Sequence, residues 1–301
     1  MKQGIFINWL LFILLACIWG SSFILMKEGM VSLSPIEVAS LRIVTAGLVL
    51  LPLAIKGFRK ISGKNFGLVF LSGLLGSLLP AYLFCFAETL VDSALAGTLN
   101  SLTPVFAILS GIYFFKQKVS KWKVVGVVIA FVGSVLLLGK PGFGETSQIV
   151  FALLIVLATM MYGVNVNLVH RYLHHCNAID IVSVAMVLCA LPAFFVLGSS
   201  GFFERNFDPS LFYSISAAVV LGTLGTALAS ILFYILIKRS GIVFSSMVTY
   251  LIPFVANGWG LWLGEQVGWL DIICLIVILA GVYLVNRREP EDIVSLGVRE
   301  I

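Results

Sequence analysis

Charged residues are scarce in this chain of 301 residues, because Asp, Glu, Lys and Arg together make up 11% of it. Soluble domains carry about 25% charged and about 45–50% apolar residues, whereas 60% of this chain is hydrophobic. No soluble core could bury so much apolar surface, so the lipid bilayer must be the solvent. The composition excludes a soluble domain. It also indicates that the net charge of +5 reflects orientation in a membrane, with no nucleic-acid partner.

Several signatures of chemistry and processing are missing as well. The five cysteines are scattered and form no CxxC motif or disulfide framework. The chain has no ATP-binding motif, so any driving force must come from a gradient. The basic start and the Leu-Leu-Ala-Cys that ends at Cys17 resemble a lipoprotein signal, but the apolar run continues through Ile18 and Trp19. We therefore predict an uncleaved first helix.

Long apolar runs are what the sequence does have. Crossing a hydrocarbon layer of about 30 Å takes about 17–25 helical residues. Ten runs meet this need, at about 6–26, 35–55, 66–86, 93–115, 122–138, 148–169, 178–197, 212–236, 242–263 and 269–286. With the N-terminus inside, 15 of the 19 Lys and Arg residues face the cytoplasm, while Lys27, Lys140 and Arg205 lie outside. Basic residues collect in cytoplasmic loops, so we predict ten helices with both termini in the cytoplasm.

The second half of the chain repeats the first at a nearly constant shift. Two segments recur 143 residues later and two recur 149 residues later, namely IWGSSFI (18–24) as MYGVNVN (161–167), SPIE (34–37) as NAID (177–180), LLGSL (74–78) as TLGTA (223–227) and LTPVF (102–106) as LIPFV (251–255). Each copy holds five predicted helices. Because five is an odd number, the second copy must enter the membrane from the opposite side.

The predicted fold is therefore an all-α integral membrane protein, with ten transmembrane helices in two inverted five-helix repeats. The first repeat spans 1–145 and the second 146–288, and a cytoplasmic tail covers 289–301. Inverted repeats are typical of secondary transporters, whose substrate site lies near the membrane midplane between the halves.

Four stretches have an order and spacing that identify a known superfamily, namely WGSSFILMKEGM, SPIEVASLRIVTAGLVLLPLAI, LTPVFAILSGI and LGEQVGWLDIICLIVILAGVYLV. They resemble the EamA-type transporters of the drug/metabolite transporter superfamily over essentially the whole chain. The resemblance implies two five-helix repeats, a central cavity and, usually, export of amino acids or other small metabolites. The Gly-Glu that follows the fourth helix of a repeat in that family is present as Gly264-Glu265, but the first half reads Lys116-Gln117.

Polar and aromatic residues inside the apolar runs are candidates for a substrate site. Pro104 and Pro253 hold the same position in the two repeats, where a proline frees backbone carbonyls. We interpret both as hinges beside a cavity, with a packing kink as the alternative. The expected lining, for which helix–helix packing is the alternative, consists of Trp19, Ser22, Arg42, Tyr82, Asn100, Thr103, Tyr162, Asn165, Tyr234, Thr249, Tyr250 and Asn257.

Arg42 is a lone charge within the second run, and its counterpart in the other repeat is Ala185. Placing an arginine inside a span costs about 2.5–3.5 kcal/mol on insertion scales. Three interpretations stay open. The side chain snorkels or binds freed carbonyls, it pairs with a carboxylate such as Glu88, or it faces the cavity and attracts a substrate carboxylate.

Two other pairs have both a structural and a functional interpretation. Glu37 and Asp180 are repeat counterparts that could couple protons, but SPIE and NAID are typical helix caps, so we favour capping. His170 and His174 have the i, i+4 spacing of metal ligands on a helix. They lie at a cytoplasmic helix end, where polar residues are expected in any case, and we predict no metal site.

We expect an inner-membrane secondary transporter that exports small amino-acid-like or amphipathic metabolites by alternating access. One alternative is an importer or exchanger of a nucleotide-sugar- or cofactor-like solute, and another is a non-transporting structural or receptor-like membrane protein. An intramembrane enzyme would need paired carboxylates or facing histidines, which the fourth and ninth runs lack. The expected partners are a small-molecule substrate and the bilayer, without a cofactor. Coupling to protons or to solute exchange, and a monomeric or homodimeric state, stay open.

Overall fold

The computed structural model describes residues 2–116, 119–138, 146–206, 208–246 and 248–286, and over these ranges it contains helices and no strand. Fourteen α-helices follow one another, namely α1 (Lys2–Gly20), α2 (Ser22–Gly29), α3 (Pro35–Lys60), α4 (Phe66–Gly73), α5 (Leu79–Ala87), α6 (Ser93–Asn100), α7 (Thr103–Tyr113), α8 (Lys121–Leu138), α9 (Thr146–Tyr172), α10 (Ala178–Ser199), α11 (Pro209–Val220), α12 (Ala229–Ser246), α13 (Val248–Trp262) and α14 (Trp269–Asn286). Short 3-10 turns lie at Gly63–Asn65 and Phe202–Glu204, and π-helical turns at Leu74–Leu78 and Leu221–Leu228.

Eight stretches of helix in the described ranges are long and apolar enough to cross a membrane. They are Ile5–Gly29, Pro35–Lys60, Gly63–Ala87, Ser93–Tyr113, Lys121–Leu138, Thr146–Tyr172, Ala178–Ser199 and Pro209–Ser240. The protein is thus a multi-pass membrane protein. α13 has 15 residues where the sequence predicts a span over 242–263, and α14 is apolar but shorter than the eight. The count of ten therefore stays a prediction. The predicted tail, Lys140 and Gln117 lie outside the described residues.

The connections between consecutive spans gather at two ends of the helix bundle. We call the end formed by connections 30–34, 88–92 and 263–268 the Lys27 end, and the end formed by connections 61–65 and 173–177 the Lys60 end. Which end faces the cytoplasm is a matter for the proposal below.

The starts of α3 and α10 confirm the capping interpretation. Ser34 and Glu37 form a complete capping box with Pro35 in the first turn. The Asn177 side chain accepts a hydrogen bond from the Ile179 amide at 3.0 Å. These side chains satisfy amide groups that a helix start leaves without partners.

Each of the two counterpart carboxylates also forms an ion pair with a basic residue of another segment. Glu37 lies 3.0 Å from Arg205 at the Lys27 end. Asp180 lies 3.2 Å from Lys60 at the Lys60 end. The same type of pair thus recurs at opposite ends of the bundle, as an inverted duplication requires.

Close helix contacts recur in the two halves at the shifts that the sequence shows. A Cβ atom added to Gly225 would lie 2.9 Å from the hydroxyl of Ser22. The counterparts of these residues, Gly76 and Asn165, also meet, because a Cβ atom on Gly76 would collide with the Asn165 amide group. The contacts are equivalent, since 22 plus 143 is 165 and 76 plus 149 is 225.

A second pair of contacts repeats the pattern between the first helix of one half and the fourth helix of the other. A Cβ atom on Gly20 would lie 2.5 Å from Val255, and one on Gly163 would lie 2.5 Å from the carbonyl carbon of Phe106. Gly20 and Gly163 are 143 residues apart, and Phe106 and Val255 are 149 apart. Glycine at these positions lets helices of the two halves approach closely.

The π-helical turns are a repeated feature that the sequence analysis did not predict. Leu74–Leu78 interrupts the third span and Leu221–Leu228 the eighth, at equivalent positions. A π-turn adds one residue to the helical repeat and is frequent at functional sites. The glycine-bearing segments that aligned at a shift of 149, LLGSL and TLGTA, are the sequence signal of these turns.

Candidate functional site

Arg42 lies in α3, seven residues after Pro35 and therefore about 10 Å along the helix. Its side chain is half-buried. Nε donates a hydrogen bond to the Thr226 hydroxyl at 2.9 Å, and Nη1 lies 3.7 Å from the sulfur of Met26. No ion pair with a carboxylate is formed by Arg42 among the described residues. The guanidinium is thus held at one edge, while its other N–H groups have no acidic partner.

The π-turn of the eighth span positions Arg42. Thr226 donates a 3.3 Å hydrogen bond to the Leu221 carbonyl, five residues earlier, as a π-turn requires. At the start of the same turn, a Cβ atom on Gly222 would lie 2.5 Å from the Arg42 carbonyl oxygen. Only glycine permits this approach. The π-turn therefore brings a hydroxyl to the guanidinium and packs directly on the arginine backbone.

The counterpart contact in the other half shows what is special about Arg42. A Cβ atom on Gly73 would lie 3.0 Å from the Ala185 carbonyl oxygen, as Gly222 approaches Arg42. The backbone arrangement is therefore duplicated, but only one of the two positions carries a charged side chain.

Three aromatic candidates lie on helices around this position. Tyr82 shares a 2.7 Å hydrogen bond with Ser40. Tyr162 stacks on Phe84 with ring centroids 6.3 Å apart. Electrostatic interactions connect Arg42 to Tyr162, Cys85 and Glu88, which places this tyrosine near the arginine.

Trp19 and Tyr234 lie on the first and eighth spans. The Trp19 ring packs against Phe233 at 5.2 Å between centroids. Tyr234 lies under the ammonium group of Lys238, 4.9 Å from its ring centroid. The neighbouring candidate Ser22 is buried and donates to the Ile18 carbonyl of its own helix at 3.1 Å.

The fourth span is broken beside Pro104. α6 ends at Asn100 and α7 begins at Thr103, with Pro104 in its first turn. Thr103 donates to the Asn100 carbonyl at 2.9 Å. The Asn100 amide group is half-buried and has no hydrogen-bond partner in the described part of the chain. Such a group is free to meet a solute.

The ninth span is different, because α13 continues through Pro253. The Asn257 amide donates to the Pro253 carbonyl at 2.7 Å and to Thr98 of α6 at 3.3 Å. Tyr250 donates to the Val282 carbonyl of α14 at 2.9 Å. These residues join α13 to its neighbours, and Thr249, half-buried in the same helix, also has a partner.

Asn165 combines burial with an unsatisfied group. Its Oδ1 atom is buried without a hydrogen-bond partner, and its amide group packs against the π-turn glycine Gly76. Buried polar atoms without partners are uncommon in native structures and often have a functional reason.

The histidines at the Lys60 end form no metal site among the described residues. His174 packs edge-on against His175 with ring centroids 5.5 Å apart, and His175 lies 2.8 Å from the Asn65 amide group.

A charged cluster at the Lys27 end escaped the sequence analysis. The Lys27 ammonium lies 2.8 Å from Glu265 and 3.4 Å from Asp92. The Glu265 carboxylate also accepts hydrogen bonds from the amides of Ser93 and Ala94, at 3.0 and 3.1 Å. Glu265 therefore caps α6 and binds α2 at once. The glutamate of the Gly264-Glu265 motif was the available signal, but nothing in the sequence named its partner.

The pKa of Glu265 is below its usual value. Burial raises the pKa, but the hydrogen bond from Lys27, the two amide bonds and the positive charge of Lys27 outweigh burial. The carboxylate stays ionised, and the helix start of α6 adds a favourable dipole.

Further contacts close the Lys27 end. Trp259 donates to the Ser21 hydroxyl at 2.7 Å, and Tyr213 donates to Glu28 at 2.9 Å. The gap beneath Glu265, beside Leu95, measures about 10 Å³, which is about the room that one water needs. A solute could not pass this end in the observed state.

Comparison with known proteins is consistent with this architecture. The description of the EamA-like transporter family matches residues 7–139 and 150–287, once in each half. An uncharacterized transporter from Archaeoglobus fulgidus is 27% identical over 94% of this chain and 99% of its own length. A probable terminal-alkyne amino-acid exporter from Streptantibioticus cattleyicolor is 24% identical over 90% of each chain. The uncharacterized transporter YdfC from Bacillus subtilis is 24% identical over 94% of each chain.

A solved structure, described only as the crystal structure of a protein, superposes with a TM-score of 0.60 at 16% identity. The match covers 91% of this chain and 94% of the other. At that identity the likeness supports the fold alone.

Proposed function

The chain belongs to the EamA-like transporter family, and we propose that it exports small amino-acid-like carboxylates by alternating access of two inverted five-helix repeats. Family membership makes it a membrane transporter of small molecules and not an enzyme. The substrate class, the direction and the mechanism are the proposal.

The family match in each half and the equivalent glycine contacts support the inverted repeats. The repeats are 1–145 and 146–288, with ten spans and both termini in the cytoplasm. The Lys27 end then faces outside and the Lys60 end faces inside, in agreement with the distribution of basic residues in the loops. In a bacterium, the membrane would be the inner membrane.

The observation that carries the substrate class is the guanidinium of Arg42 without an acidic partner. An arginine within a span is expensive, and such residues are paired or functional. Only Nε is bound to a protein oxygen, so the Nη groups are available to a ligand. A guanidinium can hold a carboxylate through two parallel hydrogen bonds.

The neighbouring residues fit the rest of an amino-acid-like solute. Tyr82 and Tyr162 offer aromatic surface for an apolar side chain, while Asn100 and Asn165 offer unsatisfied amide groups. The relative described as an amino-acid exporter supports the same class. Trp19, Ser22, Tyr234, Thr249, Tyr250 and Asn257 are proposed to shape the wall of this cavity, since several of them are bound to neighbouring helices.

The closed Lys27 end supports alternating access. A transporter of this type needs one state closed at each end, and the Lys27–Glu265 pair closes one of them. Pro104 and Pro253 are proposed as hinges, because the break between α6 and α7 lies directly below the closed end.

Flux in proteoliposomes tests the function. Purified protein should exchange a labelled amino acid or similar carboxylate across the vesicle membrane, and Arg42→Ala should not. Absence of flux with every carboxylate and every uncharged metabolite would support a structural or receptor-like role instead.

A further inference from the structure

Glu88 is a buried acid without a hydrogen-bond partner. It follows directly after α5 at the Lys27 end and is 4% exposed. Both of its carboxyl oxygens are buried, and neither has a partner in the described part of the chain. Buried carboxylates are normally paired or bound by amide groups, so this group requires an explanation.

The charged groups that face Glu88 come from three other segments. They are Lys27 of α2, Glu265 of the 263–268 connection and Arg42 of α3. The Lys27 ammonium is already bound to Glu265 and Asp92. The helix α9, which also packs on α5, contributes the phenol of Tyr162, and α5 itself contributes Cys85. The position at the C-terminal end of α5 is unfavourable for a negative charge.

These surroundings favour the neutral acid. Burial raises the pKa of Glu88 well above its usual value; the positive charge of Lys27 opposes this rise, Glu265 adds to it, and Arg42 opposes it. The proton is therefore held by enclosure rather than by a specific partner. The enclosure exists only while the Lys27 end is closed.

We propose that Glu88 is a proton-binding site that takes up a proton when the Lys27 end closes and releases it to the outside when that end opens. The inference rests on the proposed function for the existence of an outward-open state. It adds that the proton is a ligand of the transport cycle and that acid outside favours the closed Lys27 end.

The sign of the pH effect follows from linkage between protonation and conformation. In the open state, water reaches Glu88 and its pKa returns toward the ordinary value. In the closed state the pKa is raised. The stabilisation of the closed end is complete below the ordinary pKa and is lost as the pH rises through the raised value. Between the two values, the open-to-closed ratio increases about tenfold for each pH unit.

The Lys27–Glu265 pair cannot produce this effect in the same pH range. The pKa of Glu265 lies below its usual value, so the pair stays ionised from about pH 5.5 upwards. The switch also acts at one end only, because the counterpart of Glu88 at a shift of 149 is the apolar Ile237.

The test measures access to the Lys27 end from outside. A cysteine placed at Leu95, which is 6% exposed beside the gap under Glu265, is labelled in intact cells with an impermeant maleimide between about pH 5.5 and 8.5. The rate is divided by that of Val31→Cys, which is exposed at the same end, to remove the pH dependence of thiol chemistry. Protein without an added cysteine provides the blank.

We expect the labelling ratio to rise at least about tenfold across this range in the wild type. With Glu88→Gln it should stay low and change less than about twofold, because the amide imitates the protonated acid. Glu88→Asp should retain the pH dependence. Glu204→Gln, which removes an exposed acid at the same end, is the matched control and should behave as the wild type.

A pH-independent ratio in the wild type, or an unchanged pH dependence in Glu88→Gln, would overturn the proton site. If Glu88→Gln does not insert, Glu88→Met is judged by the same outcomes. Flux in proteoliposomes is measured on the same proteins. Flux without pH-dependent access refutes the proton site alone, whereas pH-dependent access without flux of any metabolite refutes the transport proposal alone.

Discussion

Lys27 and Glu265 are 238 positions apart in the chain, and their side chains meet at 2.8 Å. The pair joins α2 to the connection between α13 and α14, and Glu265 also binds the first amides of α6. One carboxylate thus connects three segments from the two halves at the closed end. Opening of this end requires their separation.

Removing the charge of Glu265 should open the Lys27 end. We expect Glu265→Gln to increase maleimide labelling of a cysteine at Leu95 about tenfold, because hydrogen bonds to charged groups contribute about 1.5–3 kcal/mol. Asp92→Asn is the control and should have a smaller effect, since the Asp92 side chain is 60% exposed. Equal labelling in the wild type and Glu265→Gln would show that the pair does not hold this end closed.

Replacing Arg42 by lysine should change the choice of cargo. Lysine keeps the charge but cannot form two parallel hydrogen bonds with a carboxylate. We expect Arg42→Lys to insert and melt nearly as the wild type does, yet to lose about tenfold or more in affinity for a carboxylate solute. The amide analogue of the solute should bind both proteins about equally. The measurement is the acid-to-amide affinity ratio, and an unchanged ratio would exclude a carboxylate-binding role for Arg42.

Adding one methyl group to Gly222 should disturb the arginine from behind. The new Cβ atom of Gly222→Ala would lie 2.5 Å from the Arg42 carbonyl oxygen, and overpacking typically costs about 1–3 kcal/mol. The variant should melt at a lower temperature and transport more slowly. Gly67→Ala is the matched control, because nothing lies within 4 Å of its Cβ position. A Gly222→Ala protein with wild-type melting and flux would contradict the contact.

The orientation of the bundle is testable with two single cysteines. Val31 and Lys64 are exposed at the Lys27 end and the Lys60 end, respectively. In intact cells, an impermeant maleimide should label Val31→Cys and not Lys64→Cys, because the basic loops are proposed to be cytoplasmic. Permeabilised cells provide the control, in which both should react. Labelling of Lys64→Cys in intact cells would reverse the assigned ends.

Much of the architecture could be read from the sequence, because the bilayer imposes strong rules on composition. Apolar length predicts spans, and eight predicted spans have helices that are long enough. The shifts of 143 and 149 residues predicted contacts that the structure contains, such as Ser22 with Gly225 and Asn165 with Gly76. Local signals also predicted the caps at Ser34 and Asn177 correctly. Each of these features depends on neighbouring residues or on regular repetition.

The partners of the charged residues were decided by tertiary structure alone. Local sequence could not indicate that Arg42 binds Thr226, 184 positions away, rather than Glu88. Nor could it reveal that Glu88 is enclosed without a partner while Lys27 pairs with Glu265. Several carboxylates lie within reach of each cation along the chain, and only the packing of helices from both halves determines which distances become short. The sequence by itself established a duplicated helical membrane transporter, and helix packing established which of its few charges are paired and which are left for a ligand or a proton.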